Sequence, residues 1–228
     1  MKIKYIFYAA LFASSFGLYS CGNNTPEKKE TTPVINQLIE GNIRYLESHP
    51  LHPNQTKFSR LSTSGEQKPK AIVVSCSDSR VPPEIIFDQG LGDLFVIRTA
   101  GNIIGDIELA SIEYAVLKLN CKTIMVLGHD HCGAIDSFLE HPIDSLPGHL
   151  NELMSFIRKQ PIQQKILERP GDHNYMAVVS NIIYFANQLR NNSGIIRQKF
   201  NQKEIEIFGA LYHFDNGKVQ IIEDDIKR

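Results

Sequence analysis

The sequence has almost no net charge, because 24 Lys and Arg residues are balanced by 25 Asp and Glu residues and the formal charge is −1. Nucleic acids and anionic membranes attract strongly basic surfaces, so this balance gives no reason to expect either as an electrostatic partner. The hydrophobic share of 42% and the charged share of 21% are ordinary for a globular protein. At 228 residues, and with no internal repeat, the chain fits one domain with a sizeable core.

The apolar run at the N-terminus is too short to cross a bilayer comfortably. It covers residues 5–19 and follows a short positive segment that contains Lys2 and Lys4, a pattern typical of a signal peptide. Residues 18–22 read Leu-Tyr-Ser-Cys-Gly and resemble the bacterial lipobox, in which a small residue precedes a Cys that receives lipid before cleavage. Tyr19 departs from the strictest form of that pattern, and the alternative is an ordinary secretory signal with an incidental Cys.

We therefore expect residues 1–20 to be a lipoprotein signal peptide and Cys21 to be the lipidation site. Residues 21–33 are polar and charged with two Pro, and they are expected to form a flexible tether. Residues 34–228 are the predicted catalytic domain. This layout predicts an exported, membrane-anchored lipoprotein that faces the periplasm or cell envelope.

Cysteine is scarce as well, with four residues in the whole chain. Four Cys in an exported protein could form two disulfides, but two of them lie in short motifs that suit a metal. These are residues 76–80, Cys-Ser-Asp-Ser-Arg, and residues 128–133, Gly-His-Asp-His-Cys-Gly. With Cys21 assigned to lipid, Cys121 is left over and is expected to be a buried, inert thiol. No disulfide framework is needed.

Cys76, His129 and Cys132 offer two thiolates and an imidazole, a ligand set that suits zinc. Three protein ligands leave one position open, where zinc lowers the pKa of water to about 7, so the pattern favours a catalytic site. Taken singly, each Cys is more often a small buried hydrophobe and the His more often a loop residue. A structural zinc site would need a fourth paired ligand, for which Cys121 is poorly placed. His131 is expected to turn away from the metal, although a role in proton transfer stays open.

Short β-branched runs alternate with amphipathic segments, which predicts an α/β fold with a mostly parallel central β-sheet flanked by helices. Asp215-Asn216-Gly217 adds the turn of a C-terminal hairpin. Ligands of such sheets bind beyond the carboxyl ends of the strands, and both motifs begin where a strand is predicted to end. The predicted helices are 34–48, 107–119 (with Asp106 as N-cap) and 175–189, the predicted strands are 71–75, 94–97 and 123–127, and the hairpin arms are 204–213 and 218–222.

Asp78 and Arg80 lie two and four residues after Cys76. Residues two apart in an extended segment point the same way, so a carboxylate–guanidinium pair forms easily. One interpretation is a local salt bridge that orients the loop. The other is that Arg80 holds Asp78 ionised beside the metal, where the carboxylate orients the reactive water or binds the metal itself when protons are abundant.

Residues 76–80 and 128–133 resemble the signature segments of the β-class carbonic anhydrases, which interconvert carbon dioxide and bicarbonate using zinc. The similarity covers nearly all of residues 34–222. The further matching segments are 81–82 (Val-Pro), 92–98 (Gly-Asp-Leu-Phe-Val-Ile-Arg), 100–102 (Ala-Gly-Asn), 111–116 (Ser-Ile-Glu-Tyr-Ala-Val) and 209–212 (Gly-Ala-Leu-Tyr).

The resemblance implies a carbonic anhydrase, a lyase also called carbonate dehydratase, with one Zn²⁺ per subunit. It implies that Cys76, His129 and Cys132 are the zinc ligands, that Asp78 and Arg80 are the catalytic dyad, and that Gln67, Phe95 and Tyr114 bind the substrate. The amide would hydrogen-bond bicarbonate and the two rings would line an apolar slot for carbon dioxide. Read without the family, the two aromatic residues would be core residues and Gln67 a surface residue.

The chain contains no Trp, which favours the plant-like subgroup, because another subgroup has a noncatalytic bicarbonate site that includes a Trp. The resemblance also implies a homodimer or homotetramer with active sites at the interface. An N-terminal helix wraps the partner in such assemblies, and residues 34–48 are the candidate for it.

Two alternatives remain. Some members of the fold hydrolyse carbon disulfide or carbonyl sulfide, and the pocket is too small a target for the sequence to choose among these substrates. A noncatalytic zinc-binding or bicarbonate-binding lipoprotein is the other, and the intact Asp78 and Arg80 argue against it, since metal retention alone does not require a dyad.

Overall fold

The computed structural model describes residues 32–143, 146–191 and 193–222, apart from the side chain of residue 164. Its strands form one five-stranded sheet in the order β2-β1-β3-β4-β5, in which β5 alone among these runs antiparallel to its neighbour. The predicted mostly parallel sheet with a C-terminal hairpin is confirmed. The strands are β1 (Ala71–Cys76), β2 (Leu94–Thr99), β3 (Thr123–His129), β4 (Glu206–Tyr212) and β5 (Val219–Ile222).

The helices flank this sheet, and none of them within the described residues has the length and apolarity to cross a membrane. The long amphipathic segments were readable from periodicity, whereas one-turn or two-turn helices such as α3 and α5 give too few repeats to be recognised. The helices are α1 (Pro33–Leu46), α2 (Lys57–Ser62), α3 (Pro83–Ile86), α4 (Asp106–Lys118), α5 (Gly133–Glu140), α6 (Leu150–Arg158), α7 (Gln163–Ile166), α8 (His173–Asn191) and α9 (Gly194–Asn201).

Local capping explains where two helices begin. Thr32 accepts the N–H of Ile35 at 3.4 Å with Pro33 at the first helical position, so α1 begins one residue earlier than predicted. Asp106 was predicted to be the N-cap of α4, but it is the first helical residue. Gly105 precedes the helix instead, and its N–H donates to the Glu108 carboxylate at 2.9 Å. Since Gly has no side chain, only this reciprocal half of a capping box exists.

The first helix is joined to the rest of the domain through a buried amide. The Asn42 side chain donates to the Ile86 and Gly217 carbonyls at 3.2 and 3.0 Å and accepts the Val219 N–H at 2.9 Å. These bonds join α1 to both α3 and the hairpin. A Cβ at Gly41 would lie 1.8 Å from the Phe87 carbonyl oxygen, so this close approach needs glycine.

The signal peptide, Cys21 and most of the tether fall on residues 1–31, outside the described residues. Cys76, Cys121 and Cys132 are free thiols in the described part of the chain. Cys121 is 2% exposed, and burial raises the pKa of its thiol, as an inert buried cysteine requires.

Candidate metal centre

Three side chains converge at the carboxyl edge of the sheet. Cys76 is the last residue of β1, His129 is the last residue of β3, and Cys132 is the N-cap of α5. Strands β1 and β3 are parallel neighbours, so their carboxyl ends meet. The three potential ligand atoms lie within 4.8 Å of one another, and all three residues are buried.

This group fits a tetrahedral zinc ion. The two Sγ atoms are 3.9 Å apart, and two zinc–sulfur bonds of about 2.3 Å in tetrahedral geometry would put them about 3.8 Å apart. His129 Nδ1 lies 2.8 Å from the Asp130 carbonyl oxygen, so Nδ1 carries the proton. His129 Nε2 is left as the ligand atom, and it is buried with no hydrogen-bond partner among the described residues. A metal would satisfy that orphaned nitrogen.

The two thiols share one hydrogen bond. Cys132 hydrogen-bonds to Cys76, and this contact lowers the pKa of Cys76 to about 4 against the effect of burial. The pKa of Cys132 is raised, because it shares its proton with Cys76 and because it is buried. Backbone N–H groups of Asp78 and Gly101 also donate to the Cys76 sulfur, at 3.4 and 3.3 Å. These contacts favour the thiolate at Cys76, and a metal bound here would displace the remaining proton.

The predicted dyad is a bidentate ion pair beside this group. Arg80 Nε and Nη2 donate to the two Asp78 carboxylate oxygens at 2.9 and 2.8 Å, and the Arg80 backbone N–H adds a third bond of 2.9 Å. The Arg80 hydrogen bonds lower the pKa of Asp78 to about 2. Asp78 Oδ2 lies 4.0 Å from His129 Nε2. An ionised acceptor is therefore held beside the three candidate ligand residues.

Arg98 supports the loop that carries the dyad, and the sequence analysis did not assign it a role. Its guanidinium donates to the carbonyls of Cys76 and Asp78 at 3.0 and 2.6 Å. Arg98 belongs to β2, which pairs with β1 in parallel. A charged residue at the end of the apolar run 94–97 was the available signal, but that signal does not identify the carbonyls that Arg98 reaches.

Phe214 is a second residue that the sequence analysis missed. The Arg80 guanidinium carbon lies 4.2 Å from the centre of its ring, and the His129 ring meets it edge-on at 5.3 Å between centroids. The Asp130 carboxylate accepts the Phe214 backbone N–H at 3.3 Å and the His213 ring nitrogen at 3.0 Å. The turn of the hairpin is thereby fastened over the site, and Phe214 touches both a candidate ligand and the dyad.

The three predicted substrate residues come together, but away from Cys76, His129 and Cys132. The Phe95 and Tyr114 rings are 6.4 Å apart, and Gln67 borders a groove of about 520 Å³ with Tyr114. Tyr114 is 50% exposed, so it is not a core residue. Phe95 pairs with Ile72, four residues before Cys76, which corresponds to about 13 Å along the strand.

His131 turns away from the metal group, as the sequence predicts. It is exposed, it has a left-handed backbone (φ 48°), and its N–H donates to the Asn174 side chain at 3.1 Å.

Comparison with known proteins matches this chain to carbonic anhydrases. The family model described as carbonic anhydrase matches residues 71–219. Carbonic anhydrase 2 of Mycobacterium tuberculosis is 37% identical over 202 residues, which cover 86% of this chain and 95% of that protein. The carbonic anhydrase of Mycolicibacterium smegmatis is 37% identical over 190 residues, with 81% and 89% covered.

Solved structures agree in fold. The β-carbonic anhydrase CcaA superposes with a TM-score of 0.66 at 29% identity, covering 83% of this chain and 95% of that one. A structure from a study of two tetrameric β-carbonic anhydrases of the filamentous ascomycete Sordaria macrospora gives a TM-score of 0.64 at 25% identity, with 84% and 98% covered.

Proposed function

This chain belongs to the β-carbonic anhydrase family and is a carbonic anhydrase, and we propose that it binds one Zn²⁺ per subunit through Cys76, His129 and Cys132 and hydrates carbon dioxide reversibly. The observation that carries the proposal is the buried His129 Nε2, which has no hydrogen-bond partner among the described residues and lies with the two sulfurs in a group whose atoms are all within 4.8 Å of one another. Zinc bound there would supply a water of lowered pKa, about 7, as the nucleophile for carbon dioxide.

Asp78 orients that water in the proposed reaction. Its carboxylate is ionised at neutral pH, and Arg80 lowers its pKa to about 2, so it can accept hydrogen bonds but cannot donate one. An acceptor fixed by two bonds from Arg80 restrains the O–H direction of the water and leaves a lone pair for the carbon of carbon dioxide. Arg80 is held in turn by the Phe214 ring.

A second copy of the chain brings Gln67, Phe95 and Tyr114 to the metal in our proposal. The separation of about 13 Å along the strand puts the apolar slot out of reach of the metal group in the same subunit. Tyr114 is itself 50% exposed, and further exposed apolar side chains on α2 and α4 point to an interface, namely Phe58 (79% exposed), Leu61 (59%), Ile107 (76%) and Leu117 (49%). The assembly would be a homodimer or homotetramer, in line with the tetrameric Sordaria macrospora enzymes.

The central test is stopped-flow hydration of carbon dioxide by the zinc-loaded protein, with metal content measured on the same sample. Carbon disulfide and carbonyl sulfide are assayed beside it, because the slot would suit any small linear apolar molecule. Zinc at one per subunit with turnover of carbon dioxide is the expected result. Stoichiometric zinc without hydration of carbon dioxide would contradict the proposed reaction.

The role of Asp78 is tested by Asp78→Ala. We expect kcat for carbon dioxide hydration to fall about 100-fold or more, since the water loses its orientation, while zinc stays bound because the three ligands are intact. Asp106→Ala, an exposed carboxylate at the start of α4, is the matched control and should keep wild-type turnover. Unchanged turnover in Asp78→Ala would refute the proposed role.

We also propose that the mature chain begins at Cys21, carries lipid there and is held at the cell envelope by residues 21–33. Support comes from the short apolar run and the lipobox-like segment 18–22. A mass spectrum of the mature N-terminus tests this: a diacylated Cys is expected, and an unmodified residue other than Cys21 would refute it.

A further inference from the structure

A line of buried side-chain amides runs from α7 to the metal group. Gln163 and Gln160 are 0% exposed and Asn181 is 1% exposed. Burying an amide is unfavourable unless its polar atoms are hydrogen-bonded. Three such groups bonded to one another in a single line need a physical reason.

The line is continuous. Gln163 Nε2 donates to Gln160 Oε1 at 3.0 Å, Gln160 Nε2 donates to Asn181 Oδ1 at 2.7 Å, and Asn181 Nδ2 donates to the Gly101 carbonyl at 2.8 Å. The Gly101 N–H then donates to Cys76 Sγ at 3.3 Å. Four hydrogen bonds thus connect the start of α7 to a candidate zinc ligand.

Two backbone carbonyls fix the direction of the line. Gln163 Nε2 also donates to the Ala177 carbonyl at 3.0 Å, and Asn181 must present its N–H₂ to the Gly101 carbonyl because a carbonyl can only accept. With both ends set, each amide between them has one orientation that satisfies its neighbours. The amides therefore hold one another in a unique arrangement.

Gly101 is held on both sides of its Cα. Its carbonyl is bound by Asn181 and its N–H is bound by the Cys76 sulfur. The residue has φ 69° and ψ 21°, a left-handed conformation that glycine adopts without strain. A Cβ there would lie 3.2 Å from the Ala134 Cβ, in the first turn of α5 just after Cys132. The direction in which the Gly101 N–H points at the Cys76 sulfur thus depends on these hydrogen bonds and on close packing.

We propose that Asn181, supported by Gln160 and Gln163, is a positioning residue for the metal centre: it holds the Gly101 N–H on the Cys76 thiolate and so preorganises that ligand for zinc. This inference rests on the proposed zinc site. Groups that orient metal ligands contribute to metal affinity, and their loss typically costs 10-fold to 100-fold. The amides affect where Gly101 is held and do not polarise its N–H directly, because the carbonyl and the N–H of Gly101 belong to different peptide planes.

The test compares Asn181→Leu with the wild-type protein in the zinc-loaded full chain. Leu branches at Cγ as Asn does, so the change removes the hydrogen bonds and keeps the branching of the side chain, with two larger methyl groups in place of the oxygen and the NH₂ group. We expect zinc transfer to an excess of chromogenic chelator to become about 10-fold faster or more. In the Co²⁺-substituted protein, the thiolate-to-cobalt charge-transfer band should move to lower energy, because Cys76 loses an N–H donor and becomes richer in electrons.

Gln89→Met is the matched control. Gln89 is 6% exposed and its amide donates to the carbonyls of Phe87 and Asp88, near the opposite end of the strands from Cys76. We expect it to lower the urea midpoint of unfolding as a buried amide loss does, while the zinc-transfer rate and the cobalt band keep their wild-type values. If Asn181→Leu also keeps both wild-type values, the positioning role is refuted.

Gln160→Met serves if Asn181→Leu does not fold. It leaves the Asn181 carbonyl unpaired one link further from the metal, so a smaller acceleration of zinc transfer in the same direction is expected, and an unchanged rate would overturn the proposal. Carbon dioxide hydration is measured separately on the wild-type protein. Zinc retention without hydration would refute the proposed reaction and leave the positioning role standing.

Discussion

The contact of Phe214 with Arg80 and His129 can be converted into an expected loss of activity. A cation over an aromatic face contributes about 0.5–1 kcal/mol at an exposed site, and the Arg80 side chain is 55% exposed. The edge-on contact with His129 contributes about 0.5–1.5 kcal/mol. Together these give about 1–2.5 kcal/mol, or a factor of about 5–70 in rate if all of it is expressed in the transition state.

Phe214→Leu removes the ring and keeps an apolar side chain, so part of the packing survives. We therefore expect the lower end of that range, a fall of about 5-fold to 10-fold in kcat/KM for carbon dioxide hydration. Stopped-flow kinetics at fixed pH measures it, with zinc content determined on the same protein. Zinc should remain stoichiometric, since Phe214 is not a ligand.

Phe214→Tyr is the control, because it keeps the ring beneath the Arg80 guanidinium. Its kcat/KM should lie within about 2-fold of wild type. The reasoning fails if Phe214→Leu turns over like the wild-type enzyme, because the dyad would then need no support from the hairpin. It also fails if Phe214→Tyr loses as much activity as Phe214→Leu, since the ring itself would then be irrelevant.

Two further predictions concern stability. Asp88 is 3% exposed and accepts hydrogen bonds from Arg44 at 2.7 Å and from two backbone N–H groups at 2.9 Å. Asp88→Asn should therefore lower the free energy of unfolding, measured by urea titration, by about 2–4 kcal/mol. Burial alone would raise the pKa of Asp88, but these donors outweigh it and lower the pKa. The loss of unfolding free energy in Asp88→Asn should therefore be complete above about pH 4 and should shrink as the pH falls through the pKa of Asp88 in the folded protein. A loss that grows toward acid would contradict this assignment. Gly101→Ala should destabilise by about 1–2 kcal/mol because of its positive φ, with added crowding against Ala134, and a calorimetric midpoint equal to wild type would show that the backbone there can relax.

The metal group was predictable because it depends on strand ends. Cys76 and His129 each close a short β-branched run, and parallel neighbouring strands bring such ends together whatever the rest of the fold does. The bidentate pair of Asp78 and Arg80 was predictable for a similar reason, since residues two apart in a short loop reach each other locally.

The supporting residues were not predictable, because each depends on a contact between distant segments. Phe214 reaches the site only through the register that places Tyr212 opposite His129, and no local pattern encodes that register. Asn181 is 80 residues from Gly101, and an Asn within an amphipathic helix reads as an ordinary polar position. Its significance is visible only once α8 is packed on the sheet.

The register of β1 and β2 links assembly to catalysis. Cys76 pairs with Thr99 at one end of these strands, and Ile72 pairs with Phe95 four residues earlier, so the proposed metal and the proposed slot lie toward opposite ends of the same strand pair. In a two-fold dimer the same surface of each subunit faces the other, so the slot of each subunit can meet the metal of its partner. One interface would then complete both active sites. On this argument an isolated subunit keeps its zinc but loses the walls that hold carbon dioxide, so specific activity should fall on dilution through the dissociation range while zinc content per chain stays constant.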